Sequence, residues 1–595
     1  MAHRYLILIP RGSRHQLAIG QIAAATGLTG HHGFGSLHVL TDAAKPPLTF
    51  PNGLIIGDLF HRHGVGPAIT ALDAADAAAL SHETVDTLFS RYWGSYAAIV
   101  NEAGRSAILR DPSGSMPCYY SSSAEAIAFA SDAELLVAAG LVSPRIDWGF
   151  VAQTLYANDL PLRETALQGV MELLAGNMAS ITDEGVTASS RWSPWDFVAH
   201  DLRISPDAQA ERLERVVHNC IRSWGATHSK AVLAVSGGLD SSIVAASLSG
   251  ALDLDCFTMA TVEPKGNEEP YARALCDALG LRLTAFTYAL ADADIGVSSF
   301  AHLPRPGGRT QGLAYDAPLL RLISEKGADA FYTGSGGDNV FHFTHSARPL
   351  VDQYLSLGLN GDLLTTWRDI AALTGASAWE VLRHALRVPR RGSQKYRWKF
   401  DPEFLSRDVL DIVTALPPTH AWLETPAKAL PGKAAHVGMI LRAQHYLHGY
   451  DRRLPFTPVA PLLSQPVVET CLSIPSWYVC RGGVDRSVAR AGFADRLPPS
   501  ILDRRVKGGP DSFAIEILQA NLPAVKERLL DGQLAAHRII DRPAVERALE
   551  PSRLGRGIEY VRLLFLLDTE AWIDGWQSRS GQWQTGQLDA RKGVG

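Results

Sequence analysis

A run with the character of a buried strand, Ala231-Val-Leu-Ala-Val235, passes directly into Ser236-Gly237-Gly238-Leu239-Asp240-Ser241-Ser242, where a helix begins at about Ser241. Paired glycines let backbone amides turn inward with no Cβ in the way, and a helix N-terminus adds a positive dipole end. Ser236, Ser241 and Ser242 supply hydroxyl donors, so the string makes a cup for a polyphosphate. It is not a Walker A loop, because no Gly-Lys-Ser/Thr closes it. Asp240 is the odd member. A carboxylate beside phosphates is repulsive unless a cation bridges them, and Mg²⁺ is the usual cation in such a place. The alternative is a glycine-rich turn capped by Asp240.

A second acidic loop follows an apolar run: Phe331-Tyr-Thr-Gly334-Ser335-Gly-Gly-Asp338. It places glycines at the C-terminal end of an expected parallel strand, the edge where ligands collect in open α/β sheets. Asp338 is then expected to face Asp240 across a crevice and share its metal. Alone, Gly-x-Gly-Gly-Asp says little; beside the first loop it completes a site.

The elements that position these loops differ between the two parts of the chain. Residues 1 to about 190 alternate short apolar runs with turn residues. Strands are expected at Tyr5–Ile9, Leu54–Phe60, Tyr96–Val100, Ser106–Leu109 and Ala126–Ala130, and helices at Ala133–Ala139 and Phe150–Leu155. That is an α+β segment of mostly antiparallel sheet. Ser193–Asp207 is polar, contains prolines and reads as a linker. Beyond it, helix Ala208–Trp224 is followed by strand–helix alternation: Ala231–Val235, Ser241–Leu248, Leu254–Ala260, Glu268–Leu279, Arg282–Thr287, Pro318–Lys326 and Ala328–Tyr332. Such alternation implies a parallel sheet with right-handed crossovers. From about 345 to 575 the patterns are helical, and residues 584–595 are expected to fray.

Composition sets the outer limits. A chain of 595 residues exceeds one ordinary core, so two large domains are expected. With 46% hydrophobic and 20% charged residues it reads as globular, and a net charge of −5 does not fit a protein built to coat nucleic acid. Six scattered cysteines with no Cys-x-x-Cys pair exclude a disulfide framework and a zinc site, and a reducing cytoplasm is the simplest compartment. No segment reads as a signal peptide or nears the ~20 apolar residues that span a bilayer.

These strings resemble the asparagine synthetase B and β-lactam synthetase family over nearly the whole chain. Arg91-Tyr-Trp-Gly-Ser-Tyr96, Arg110-Asp-Pro112, Ala130-Ser-Asp-Ala-Glu134, Gly169…Leu174-Ala-Gly176 and Arg191-Trp192 look like the family's N-terminal landmarks. Pro461-Leu-Leu-Ser-Gln-Pro-Val-Val-Glu469 with Ile474-Pro475, and Arg504-Arg-Val-Lys507-Gly-Gly509, resemble later ones. The resemblance implies a two-domain α/β protein. Residues 1–195 would be a degenerate glutamine amidotransferase domain, an α+β sandwich of N-terminal-nucleophile hydrolase type. Residues 205–580 would be an ATP-pyrophosphatase synthetase domain with a doubly wound parallel PP-loop sheet and helical additions, and 581–595 a flexible tail. It also implies ATP and Mg²⁺ as cofactors, with Asp240 and Asp338 as metal ligands, Val235 and Met259 beside adenine, and Gly334 and Ser335 in the nucleotide site. Lys507 matches the family's catalytic lysine; its alternative is an ordinary solvated lysine.

Two departures narrow the implied reaction. Glutamine-hydrolysing relatives expose a cysteine after Met removal, whereas position 2 is Ala, no cysteine precedes Cys118, and the glutamine-binding Arg-Gly-Pro-Asp string is absent from 30–60. Amidotransfer is therefore expected to be lost. Ser335 stands where asparagine synthetases carry Glu and β-lactam synthetase Tyr, which leaves the general base without a name. This combination resembles the lasso peptide macrocyclases. Thr333–Phe341, Pro461–Pro466 and Gly482–Arg486 match that branch. Such enzymes adenylate an Asp or Glu side chain of a precursor peptide, and the peptide's N-terminal amine closes an isopeptide ring. The partners implied are a precursor peptide or small carboxylate, a leader peptidase and a leader-binding protein, with no nucleic acid and no membrane. An asparagine synthetase using free ammonia and a non-catalytic peptide-binding scaffold remain as alternatives. His445 and His448 lack a third ligand for zinc. The basic Arg387–Phe400 stretch could contact an acidic peptide or nucleic acid, or simply be a solvated helix end.

Overall fold

The computed structural model describes residues 2–592 except 12–16, 103–104, 183, 200, 264–265, 309, 391–395, 506–507 and 556. Two six-stranded antiparallel sheets occupy residues 5–190. One runs, in spatial order, Met171–Glu172, Tyr119–Ser122, Ala126–Ala130, Tyr5–Pro10, Leu37–Thr41 and Gly30–Phe34. The other runs Gly185–Ser190, Asn177–Thr182, Arg105–Arg110, Tyr92–Glu102, Gly53–His61 and Leu48–Phe50. Strand periodicity explains the layering. Tyr5, Ile7 and Ile9 meet Leu54, Ile56 and Ile99 between the sheets, while Leu6 and Leu8 point the other way onto helices. Strands buried on both faces read as continuous apolar runs, which is why these were visible in the sequence.

All five strands of the second domain's sheet are parallel, in the order Arg282–Thr287, Asp253–Ala260, Lys230–Ala234, Ala330–Tyr332 and Thr457–Val459. The chain builds outward from Lys230–Ala234 in one direction, then returns to build in the other. The loops after Ala234 and Tyr332 therefore lie side by side at the reversal, where open α/β sheets form their crevices.

Several boundaries differ from expectation by a few residues, and four departures have a visible cause. The helix after the first loop starts at Leu239, two residues early, because Gly238 in an extended conformation takes the capping position. The helix expected from Pro318 begins at Thr310 and carries Pro318 inside it; Thr310 Oγ1 anchors its start to the Leu564 carbonyl at 3.2 Å. The expected linker holds a short 3₁₀ turn, Pro194–Phe197, pinned by Trp195 Nε1 donating to the Trp422 carbonyl at 2.9 Å. Where a tail was expected from 581, helix Glu559–Lys592 continues, in a stretch rich in good helix formers (Gln, Leu, Ala, Arg). No described helix is long and apolar enough to cross a membrane.

The two domains meet on a buried ion cluster. Glu172 of the sandwich accepts from Arg110 Nη1 at 2.9 Å and from Arg305 Nη1 of the second domain at 2.7 Å, and all three side chains are buried. Burial alone would raise the Glu172 carboxyl, but the two guanidiniums hold it below its ordinary value. Arg110 Nη2 also donates to His448 Nε2 at 2.9 Å, so that histidine is spoken for without a metal. Removing one member strands buried charge, at a cost of about 3–5 kcal/mol. Glu172→Ala should lose that much stability in urea unfolding; a loss below about 1 kcal/mol would show that the seam does not depend on the cluster.

Candidate active site

The first loop is shaped by its glycines. Gly237 has φ +62°, and a Cβ there would fall 2.3 Å from Tyr271 Cβ. The hydroxyls fold back on the turn: Ser242 Oγ donates to the Gly238 carbonyl at 2.8 Å, and Ser236 Oγ accepts from Gly238 N at 3.3 Å. Leu239 packs into the core. Gly237, Leu239 and Ser242 thus build the turn but do not line the crevice above it. Val235, Ser236, Gly238, Asp240, Ser241, Met259, Gly334, Ser335 and Asp338 all do. That crevice has a volume of about 760 Å³, within the range of ligand sites. Phe257, Tyr288 and Tyr315 add aromatic walls near Met259.

The second loop lies directly on the first. A Cβ at Gly334 would sit 2.6 Å from Ser241 N, and one at Gly337 2.3 Å from Asp240 Cγ. Gly336, at φ +84°, is covered by Leu463, so the Pro461–Pro466 segment serves to close this loop from behind.

A third segment, absent from the site residues expected from the sequence, joins the two carboxylates. Arg486 Nη1 donates to Asp240 Oδ1 at 3.0 Å, to Asp240 Oδ2 at 3.2 Å and to Asp338 Oδ1 at 2.5 Å. Its Nε donates to Asp485 Oδ1 at 2.7 Å, and its guanidinium lies 4.9 Å from the centre of the Phe343 ring. Burial opposes the charge on Arg486, but Asp240, Asp338 and Asp485 hold it charged. Asp485 is itself pushed up by burial and drawn below its ordinary value by Arg486 and Arg490. Arg486 has φ +50°, a left-handed backbone that costs a non-glycine residue of order 1–3 kcal/mol. Such strain persists where neighbours over-determine it. The Gly482–Arg486 string carried the only sequence signal for this residue, and it was legible as a family motif without a role.

A fourth segment closes the rim. Arg504 Nη1 donates to the Ser236 carbonyl at 2.7 Å, Arg504 Nη2 to Glu268 Oε1 at 2.6 Å, and its guanidinium stacks 4.2 Å from the centre of the Tyr271 ring. Gly508 N donates to the same Glu268 oxygen at 3.2 Å. Lys507 lies outside the described residues; the flanks on either side of it are held to Glu268, which lines the crevice. At the other end, Tyr450 Oη donates to Asp316 Oδ1 at 2.9 Å.

The donor set limits what metal can bind. Among the described residues no group of three or more His, Cys, Asp or Glu could hold an ion by itself. Asp240 and Asp338 offer two carboxylates on one side. Mg²⁺ is commonly held by one or two carboxylates with substrate phosphates and water completing its shell. The pair fits a metal that arrives with a nucleotide.

The asparagine synthase family profile matches residues 210–574, and the glutamine amidotransferase domain profile matches residues 71–193. No curated protein matches the chain significantly. Among solved structures, glutamine phosphoribosylpyrophosphate amidotransferase from B. subtilis complexed with ADP and GMP aligns at 11% identity, over 56% of this chain and 90% of that one, with a TM-score of 0.20. A structure of the allosteric regulatory enzyme of purine biosynthesis aligns at 10% identity, over 56% of this chain and 83% of its own, with a TM-score of 0.19. At those scores neither carries an argument.

Because Arg486 neutralises the buried carboxylate of Asp240 and the partly exposed one of Asp338, Arg486→Met should destabilise the fold by about 3–5 kcal/mol. Asp240→Asn with Asp338→Asn in the Arg486→Met background should recover part of that loss, since the uncompensated charges go with it. Additive losses in urea unfolding would mean that the three side chains are not coupled.

Proposed function

The chain belongs to the asparagine synthase family, and from that premise we propose that it joins an Asp or Glu side chain of a precursor peptide to the peptide's own N-terminal amine. The family reaction is ATP-dependent amidation of a carboxylate. The observation that carries the proposal is the meeting of Asp240 and Asp338 on Arg486, at the sheet reversal and at the wall of a crevice large enough for a nucleotide.

The chemistry divides into two steps. A carboxylate oxygen of the peptide attacks the α-phosphorus of ATP, the bond to the β-phosphate oxygen breaks, and pyrophosphate leaves. The amine nitrogen then attacks the acyl carbon, the bond to AMP breaks, and the amine gives up a proton. Backbone amides of the Ser236–Ser241 turn would grip the β- and γ-phosphates, with Val235 and Met259 against adenine. Asp240 and Asp338 would hold Mg²⁺, which when bound offsets charge on the phosphates. Arg486 and Lys507 would orient pyrophosphate and meet the charge that grows as it departs. A leader peptidase and a leader-binding protein would deliver the peptide.

The amine source is argued from the sandwich. Glutamine-derived ammonia needs a reactive thiol, and the one cysteine within residues 1–195 is Cys118. It is fully buried, and burial pushes its thiol up to about 11, so it stays protonated and inert near neutral pH. Ala2 is buried beside a His3–Asp58 pair, and the amidotransferase profile begins only at residue 71. A second reading, asparagine made from aspartate and free ammonia, draws support from a cavity of about 90 Å³ at the domain seam. It shares Thr333, Ser335, Tyr446 and Tyr450 with the crevice and is wide enough for a small amine.

The test uses α-labelled ATP with either precursor peptide or aspartate plus ammonium. AMP and pyrophosphate should form with the peptide; ADP as the sole product would refute adenylation, and turnover with aspartate alone would favour the second reading. Asp240→Asn and Asp338→Asn should each cut kcat by about 10²–10³, and wild-type rates in both would remove them from the site. Lys507→Arg should lower kcat with KM for ATP little changed, since a planar fork cannot replace a compact ammonium; an unaltered kcat would return Lys507 to the solvated surface.

A further inference from the structure

A cationic groove that the proposed reaction does not use opens beside the crevice. Helices Arg348–Leu357, Gly361–Thr374 and Ala378–Arg390 pack on one another through Val351, Ile370, Val381 and Ala385. The groove between them has a volume of about 470 Å³ and is lined by His345, Arg348, His384, Arg387 and Arg397, with no acidic residue among the described residues of its wall. Among the described residues none of these three arginines forms an ion pair with an acid. Glu380, on the same helix as Arg387, has its carboxylate engaged by Ser377 N and Oγ at 2.8 Å and stands outside the groove.

In a chain of net charge −5, such a concentration is local design and not background. Guanidiniums left without acids, in a concave setting, match carboxylates in paired hydrogen bonds. Trp379 and Leu386, 69% and 52% exposed, stand on the same helix as Arg387, outside the groove's wall. The groove also adjoins the reacting centre: the His345 ring lies 4.8 Å from that of Phe343, and Phe343 is the ring under Arg486. A nucleic acid would require a basic stripe along a face and would be repelled by the net negative chain. A short groove between three helices does not meet that need.

We propose that this groove binds an acidic stretch of the peptide substrate, outside the residues that react, and holds it against the crevice. The proposal rests on the peptide reading above. Its test therefore reads binding without turnover: fluorescence anisotropy of a labelled peptide of alternating Glu and Leu on the full-length protein, without ATP. Binding should weaken as salt rises, and Arg387→Glu with Arg397→Glu should weaken it by about tenfold or more. The matched Gln-Leu peptide should bind as poorly as the variant does to the acidic one. Both arginines are exposed, so an unchanged melting temperature should accompany the loss. Equal affinity of the two proteins for the acidic peptide would overturn the proposal, as would a twelve-residue oligothymidine that binds more tightly and displaces it. Charge-dependent peptide binding without AMP release from any peptide would keep the groove and refute the reaction.

Discussion

The two loops at the sheet reversal touch because Gly334 and Gly337 have no side chains. Any Cβ at these positions would meet Ser241 N or Asp240 Cγ closer than 3 Å, so the second loop could not lie on the first helical turn. That contact brings Asp338, the residue after Gly337, to the same guanidinium nitrogen as Asp240. Leu463 against Gly336 and Arg504 on the Ser236 carbonyl then hold the arrangement from two further directions. The site is thus assembled from five segments of the chain, and its precision comes from backbone approach more than from side-chain packing.

Charge follows from that approach. Three carboxylates, Asp240, Asp338 and Asp485, converge on Arg486, and Asp485 is shared with Arg490. The sandwich domain contributes to the second domain's site. Arg62 of the sandwich pairs with Glu469, Trp192 Nε1 donates to Glu469 at 3.0 Å, and Tyr119 and Asp132 line the seam cavity that opens toward Ser335. These contacts make the sandwich a wall of the second domain's site.

Much of this was legible in the sequence. Strand Ala126–Ala130 and strand Arg282–Thr287 fall where their apolar runs end, and the parallel sheet follows from strand–helix rhythm. Gly30–Phe34 escaped notice because Gly-His-His-Gly-Phe has neither an apolar run nor β-branched residues, and Thr457–Val459 because three residues with a central proline carry no period. The loops announced themselves by paired glycines beside an acid. Arg486 did not, since one arginine among many has no local signature and its role arises from a left-handed backbone and from partners 148 and 246 residues away. The cationic groove was half visible: Arg387 and Arg397 lie in a basic stretch, but Arg348 joins them only through packing.

The account turns on one covalent event, attack by a substrate carboxylate on the α-phosphorus of ATP. Precursor peptide labelled with ¹⁸O in its reacting carboxyl group would report it directly by mass spectrometry of the nucleotide product. Adenylation predicts one ¹⁸O atom in AMP for each ring closed, because the acyl–oxygen bond breaks when the amine attacks. Unlabelled AMP, or label found only in inorganic phosphate, would contradict it.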